Sequence, residues 1–270
     1  MIRGVIFDVD GTVVRGETAL SGAAEAVESL LERGVRVVFC SNNPTKGAAA
    51  YAAKLSRAGI PLPDAEPSSF VVTAGTATAA YLARHHPEEA TYVFGENGLR
   101  DQLTAAGVRI TDDAHAASVA VASVDYGFDY DSLRLAIRAV DDDTTFLGTD
   151  PDPVIPASDG PAPGSGAIVN ALAGVIGREP DVIAGKPSET AADLALEALD
   201  VPAAETLVVG DRLDTDVALG ERAGTSAALV LSGVTDRTDL AESPHDPDYV
   251  VDSLSDLDGV VGDLLVPADD

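Results

Sequence analysis

The chain of 270 residues is long enough for one large or two moderate domains, and its 46% hydrophobic content with scattered Gly and Pro reads as globular. Seventeen basic against 45 acidic residues leave a formal net charge of -28, which repels a nucleic-acid backbone and excludes nucleic acid as a partner. No run approaches the ~18 uninterrupted apolar residues of a membrane span, and Met1-Ile2-Arg3 leads straight into a strand pattern without a signal peptide, so a cytoplasmic protein is expected.

The opening apolar run Gly4-Val5-Ile6-Phe7 reads as a buried strand that ends in Asp8-Val9-Asp10-Gly11-Thr12. Ala23, Val27, Leu30 and Leu31 recur at helical spacing up to Arg33, and Gly34 supplies the stop. Val35 to Cys40 is a second strand. It runs into the polar loop Ser41-Asn42-Asn43-Pro44-Thr45-Lys46, with Thr45 the expected N-cap of a helix over Lys46 to Arg57. Strand, helix and strand in this order make a βαβ unit whose strands end on one edge, which places Ser41 and Asn42 beside Asp8 and Asp10.

From about residue 75 the pattern restarts as a second α/β unit. Helices are predicted over Thr76 to Arg84, Asn97 to Ala106 and Tyr130 to Val140, and strands over Thr91 to Phe94, Ser118 to Ala122 and Thr144 to Leu147. The Pro/Gly-rich stretch Thr149 to Gly166 is too long for a simple connection and reads as a binding loop, with a helix over Ala167 to Ile176 leading out. The first pattern is then expected to resume. Val182-Ile183 is a short strand, Lys186-Pro187-Ser188 opens a helix running to Leu199, and the strand Thr206 to Val209 ends in Gly210-Asp211-Arg212-Leu213-Asp214-Thr215-Asp216. A helix from Asp216 to Ala223, a strand from Ala227 to Leu231, the strand Tyr249 to Val251 and the segment Leu254 to Leu265 complete the sheet and its cover.

Asp8 and Asp10 stand where a strand runs into a loop, the place of chemistry in open α/β sheets. The pentapeptide by itself reads equally as a catalytic carboxylate pair or as a strand-terminating Asp-Gly turn. Cys40 is the one cysteine, which excludes an internal disulfide and a cysteine zinc cluster and suits a small buried core residue. His85, His86, His115 and His245 match no metal-ligand spacing. Only Lys46, Lys54 and Lys186 are lysine, and the other 14 basic residues (17 minus 3) are Arg. Acids spread over the whole chain, including Asp112-Asp113, Asp141-Asp142-Asp143 and Asp269-Asp270, read as a solvated surface suited to a salt-loving host.

Asp8-Val9-Asp10-Gly11-Thr12, Ser41-Asn42, Lys186 and Gly210-Asp211 with Asp216 together resemble, in this order, the four-part signature of the haloacid dehalogenase (HAD) superfamily. The resemblance runs nearly end to end and is nearest to the 4-nitrophenylphosphatase and nucleotide monophosphatase branch, supported by Arg15-Gly16, Ser41-Asn42-Asn43, Gly185-Lys186-Pro187-Ser188 and Leu231-Ser232-Gly233-Val234. It implies a doubly wound, Rossmann-like parallel-sheet α/β core over residues 1–74 and 179–270, with an inserted α/β cap over 75–178 that sets specificity. It also implies a Mg²⁺-dependent phosphatase acting on a small-molecule phosphomonoester such as a sugar phosphate, phosphoglycolate or nucleotide, with Asp8 as nucleophile and Asp10 as general acid and base.

In the same resemblance Ser41, the Asn42 backbone and Lys186 bind phosphoryl oxygens, while the Asp8 and Asp211 carboxylates and the Asp10 backbone carbonyl hold the metal. Asp216 orients the metal's waters or Lys186. Relatives often carry Thr-Asn-x-Asp where this chain has Thr149-Asp150-Pro151-Asp152, so Asp150 and Asp152 are the specificity candidates of the cap. Two alternatives stand beside this reading: a HAD enzyme acting on a non-phosphate substrate, against which the presence of Asp10 and Asp211 argues, and a non-enzymatic small-molecule-binding or regulatory protein on the same fold. A homo-oligomer stays open.

Overall fold

The structure, a computed structural model, describes residues 1–157 and 160–264. Ser158, Asp159, Leu265 and the terminal Asp269-Asp270 pair lie outside the described residues. The chain folds as two compact units. Among the described residues one comprises Met1–Ser41, Ala48–Val72 and 187–264, and the other Asn42–Gly47 and Thr73–Lys186. Among the described residues no helix is long and apolar enough to cross a membrane.

The first unit is built on a six-stranded sheet in the order Tyr249–Val251, Ser226–Val230, Thr206–Gly210, Gly4–Asp8, Arg36–Ser41, Val71–Thr73. The Gly4–Asp8 strand pairs in parallel with Thr206–Gly210 on one side and with Arg36–Ser41 on the other. Every residue of Gly4–Asp8 and of Thr206–Gly210 is buried, as the continuous apolar runs predict for strands covered on both faces. Val5, Phe7, Val37, Phe39, Val27 and Leu30 fill one face, with the Phe7 and Phe39 rings stacked at 6.2 Å, while Ile6, Val38, Ala195 and Leu199 fill the other. The chain leaves the central strand towards one side and returns on the other, so the carboxyl ends of Gly4–Asp8 and Thr206–Gly210 meet at a topological switch point.

The second unit carries a parallel sheet in the order Val182–Ile183, Thr145–Gly148, Val119–Ala122, Thr91–Phe94, packed through Phe146, Ala120 and Ala122 against Ala136 and Val140 and against Ile168, Val169 and Leu172. Here the sequence reading of Val182-Ile183 is corrected. The two residues pair with Leu147 and Gly148 and extend the second sheet, and the chain passes to the first unit at Lys186 and Pro187. A two-residue strand carries no periodicity of its own, and its partner is chosen by a long-range contact that local pattern does not encode.

Three further local readings change. The helix expected from Lys46 starts at Ala48, because Asn43 Oδ1 accepts hydrogen bonds from the Thr45 and Lys46 amides and from Thr45 Oγ1, and so holds a turn ahead of the helix. The loop Asn42–Gly47 is embedded in the second unit: Gln102 Nε2 donates to the Pro44 carbonyl at 2.8 Å, and a Cβ on Gly98 would stand 2.2 Å from the Thr45 carbonyl. Within Thr149 to Gly166, read in sequence as a binding loop, the segments Val154–Ala157 and Gly160–Pro163 form an antiparallel hairpin; its prolines are tolerated because a two-stranded ribbon consists only of edge strands.

Candidate active site

The end of the Gly4–Asp8 strand presents Asp8, which is 8% exposed, and Val9 closes a tight loop by accepting hydrogen bonds from the Val13 and Val14 amides. Gly11 sits at φ +111°, where a side chain would be strained, and a Cβ there would stand 2.4 Å from Asp211 Oδ2. Glycine therefore lets the loop pass directly over the neighbouring strand end.

Asp211 follows the Thr206–Gly210 strand and is 0% exposed. Both of its carboxylate oxygens are held: Thr12 Oγ1 donates to Oδ1 at 3.4 Å and the Val234 amide donates to Oδ2 at 2.8 Å. A Cβ on Gly233 would fall 2.0 Å from Oδ2, so the Leu231-Ser232-Gly233-Val234 motif acts as a close-fitting backbone cradle for this one carboxylate. Arg15 ties the cradle back to the first loop through a 2.9 Å hydrogen bond to the Ser232 carbonyl.

The chain continues through a π-helical turn, Leu213–Val217, into the helix Ala218–Ala223. That wide turn differs from the ordinary helix that sequence periodicity predicts from Asp216, because periodicity does not distinguish a π turn from an α turn. It brings Asp216, 1% exposed, back towards the strand end, where Oδ2 accepts the Arg212 amide at 3.1 Å. Carboxylate oxygens of Asp8, Asp211 and Asp216 lie within 4.8 Å of one another. This places the Asp216 carboxylate among the candidate metal ligands, beyond the orienting part read for it in sequence. Asp214 instead forms a bidentate pair with Arg212 at the surface. Three buried carboxylates concentrate negative charge at one point, and an all-oxygen donor set fits a hard divalent cation such as Mg²⁺ better than a metal that prefers nitrogen or sulfur.

The Asp10 carboxylate is not in this cluster. It turns to the side, where Tyr51 Oη donates to Oδ2 at 2.8 Å, Ser41 Oγ lies 3.3 Å from the same oxygen, and Lys54 Nζ pairs with Oδ1. Ser41 Oγ also lies 2.9 Å from Tyr51 Oη. Burial, then the charge of Asp10, push the Tyr51 hydroxyl well above its ordinary 10.0, which keeps it a proton donor to Asp10. Ser41 thus stands beside Asp10 as the βαβ geometry predicts. Tyr51 and Lys54 were missed in sequence. The scarcity of lysine, which singled out Lys186, applies equally to Lys54 and was the available signal.

The other candidates belong to the second unit. Lys186 is buried, and the Asn42 side chain grips its backbone on both sides, with Oδ1 accepting the Lys186 amide at 2.8 Å and Nδ2 donating to the Lys186 carbonyl at 3.1 Å. Asn42 Nδ2 also donates to Asp152 Oδ2 at 3.2 Å. Asp150 is 2% exposed and faces inward: Thr149 Oγ1 lies 3.0 Å from Oδ2, the Asp152 amide donates to Oδ1 at 3.3 Å, and Ser165 hydrogen-bonds the same carboxyl. Burial pushes its pKa up to about 7. Lys46 is exposed, His245 Nδ1 hydrogen-bonds Glu221 at 2.7 Å, and His86 Nδ1 lies 3.2 Å from a Glu89 carboxylate oxygen.

The chain matches the family model of haloacid dehalogenase-like hydrolases over residues 5–109 and a second HAD model over 183–257. It is 34% identical over 262 residues to the acid sugar phosphatase of Staphylococcus haemolyticus, covering 97% of this chain and 96% of that protein. Among solved structures it is similar to a p-nitrophenyl phosphatase from Archaeoglobus fulgidus, with a TM-score of 0.88 and 35% identity over 96% of this chain and 99% of that one. It is also similar to a glycerol phosphate phosphatase from Mycobacterium tuberculosis solved in complex with magnesium, with a TM-score of 0.83 and 29% identity over 94% of this chain and 76% of that one. With its carboxylates at the ends of two neighbouring parallel strands and relatives alike over almost their whole length, the chain belongs to the haloacid dehalogenase-like hydrolases.

Proposed function

We propose that the chain is a Mg²⁺-dependent phosphatase that hydrolyses small phosphomonoesters through an aspartyl-phosphate on Asp8. The observation that carries the reading is the division of labour among carboxylates: Asp8 lies in a buried trio with Asp211 and Asp216, while Asp10, two residues on, is turned out of it onto hydrogen-bond donors. In the first step an Asp8 oxygen attacks phosphorus, the ester P–O bond breaks, and Asp10 supplies the proton to the departing oxygen. In the second, Asp10 takes a proton from water as that water attacks phosphorus, and the bond to Asp8 breaks to release phosphate.

Magnesium held by oxygens of Asp8, Asp211 and Asp216 and by the Asp10 backbone carbonyl would offset the phosphate's negative charge. The oxygen-only donor set and the magnesium complex of the Mycobacterium tuberculosis neighbour support that ion. Ser41, the Asn42 backbone and Lys186 take the phosphoryl oxygens; the use of the Asn42 side chain to grip Lys186 is consistent with a backbone role for Asn42 itself. Relatives named for sugar phosphate and glycerol phosphate favour a small polyol or sugar phosphate as substrate. Specificity is assigned to the inserted cap, with Asp150 acting from inside by shaping the loop that carries Asp152.

The test is phosphate release from a panel of sugar, glycerol, nucleotide and nitrophenyl phosphates in high KCl, with and without Mg²⁺. Release is expected only with the metal, and Asp8→Asn should abolish it while leaving the fold intact. Release from no ester would favour the binding-protein alternative, and substantial activity in Asp8→Asn would rule out the aspartyl-phosphate.

A further inference from the structure

We propose that Lys54 and Tyr51 are positioning residues that clamp the Asp10 carboxyl by both of its oxygens, so that proton exchange with the leaving oxygen runs from a fixed point. The proposal rests on Asp10 being the general acid and base.

Tyr51 and Lys54 are three residues apart on the helix Ala48–Arg57 and so share one face. That face is turned into the unit, for Tyr51 is 1% exposed and Lys54 7%. A lysine taken out of water is costly unless its charge is paired, and its partner here is Asp10 Oδ1. The ammonium also lies 5.3 Å from the centroid of the Tyr51 ring, on the side chain that donates to Asp10 Oδ2. Ser41 Oγ completes the set. The carboxyl therefore meets a cation on one oxygen and the Tyr51 hydroxyl on the other, with Ser41 Oγ against both Tyr51 Oη and that second oxygen, which leaves its plane little freedom to turn.

Use of residues supports the same reading. In a chain that places arginine at 14 of 17 basic positions, two of the three lysines are the buried Lys54 and Lys186, and only Lys46 is exposed. Arginine's planar fork and the compact ammonium are not interchangeable, and a pocket that closes over one carboxylate oxygen beside an aromatic ring suits the ammonium.

A residue that orients a general acid differs from one that only supports the fold in its dependence on the leaving group. An alkoxide needs a proton as it departs, whereas nitrophenolate leaves without one, and kcat/KM reports this bond-breaking step apart from the later hydrolysis of the aspartyl-phosphate, in which Asp10 serves both esters alike. The experiment compares glycerol phosphate with 4-nitrophenyl phosphate in wild type, Lys54→Met and Tyr51→Phe, with the thermal midpoint of each variant measured alongside. For Lys54→Met the expected result is a loss of about 10- to 100-fold in kcat/KM on glycerol phosphate, against a loss under about 3-fold in kcat/KM on the nitrophenyl ester. Tyr51→Phe, which removes one hydroxyl and keeps the ring, should shift the ratio of the two substrates in the same direction and serves where Lys54→Met does not fold. Equal losses on both esters, or none, overturn the proposal while leaving the phosphatase reading intact. Wild-type protein inactive on every ester of the panel overturns that reading and this proposal with it; where it cleaves another alkyl phosphate instead, that ester takes the place of glycerol phosphate.

Discussion

Asn at position 150 in place of Asp would remove an ionisable group from the interior of the second unit with almost no change of shape, and the pH dependence of stability should respond. Burial pushes the Asp150 carboxyl up from 3.8 to about 7, with the charge of Asp152 adding in the same direction and hydrogen bonds from Ser165, Thr149 and the Asp152 amide opposing it. In the unfolded chain the group titrates near its ordinary value, so between about pH 4 and pH 7 the folded chain holds a proton that the unfolded chain has released. The stability this proton contributes is fully present below about pH 4 and is lost as pH rises through about 7. At about 1.4 kcal/mol per pH unit over roughly three units, the loss reaches about 4 kcal/mol. Asp150→Asn has no such proton to lose, while every other carboxylate is common to both proteins. Urea unfolding of wild type and variant at constant KCl should therefore show a stability difference that moves in the variant's favour by about 4 kcal/mol between pH 4 and pH 8. Parallel pH profiles for the two proteins would refute the reasoning, because they would mean that the buried carboxyl ionises as readily folded as unfolded.

Gly233→Ala would set a methyl group 2.0 Å from Asp211 Oδ2 and displace either the carboxylate or the Val234 amide that holds it. The Mg²⁺ concentration for half-maximal activity should rise about tenfold or more, corresponding to about 1.4 kcal/mol, and an unchanged metal requirement would remove Asp211 from the ligand set. For a surface carrying -28, added KCl should raise the thermal midpoint through screening of self-repulsion, and a midpoint independent of salt between low and molar KCl would remove the argument for a salt-adapted surface.

Much of the scaffold was legible because its signals are local. The apolar runs Gly4-Val5-Ile6-Phe7 and Thr206 to Val209, each followed by acids and glycine, mark parallel strands whose ends carry polar groups, and the βαβ rule places Ser41 beside Asp10. The Val182–Ile183 strand is legible as an apolar pair, yet its pairing with Leu147 and Gly148 depends on a contact some 35 residues away in the chain.

What the tertiary structure decided is the direction of each charged side chain. Asp8 and Asp10 are indistinguishable as letters. One enters a buried trio because the Leu213–Val217 π turn carries Asp216 back to it, and the other turns aside because a helix 40 residues on brings Tyr51 and Lys54 to its two oxygens. Asp150, a specificity candidate in the sequence, points inward because Thr149, Ser165 and the Asp152 amide converge on it. Sequence alone determined which residues stand at strand ends, since strand length and apolar run are properties of neighbours in the chain. Only the fold decided what each carboxylate faces, because a charge is stabilised by the groups that packing brings against it from distant segments.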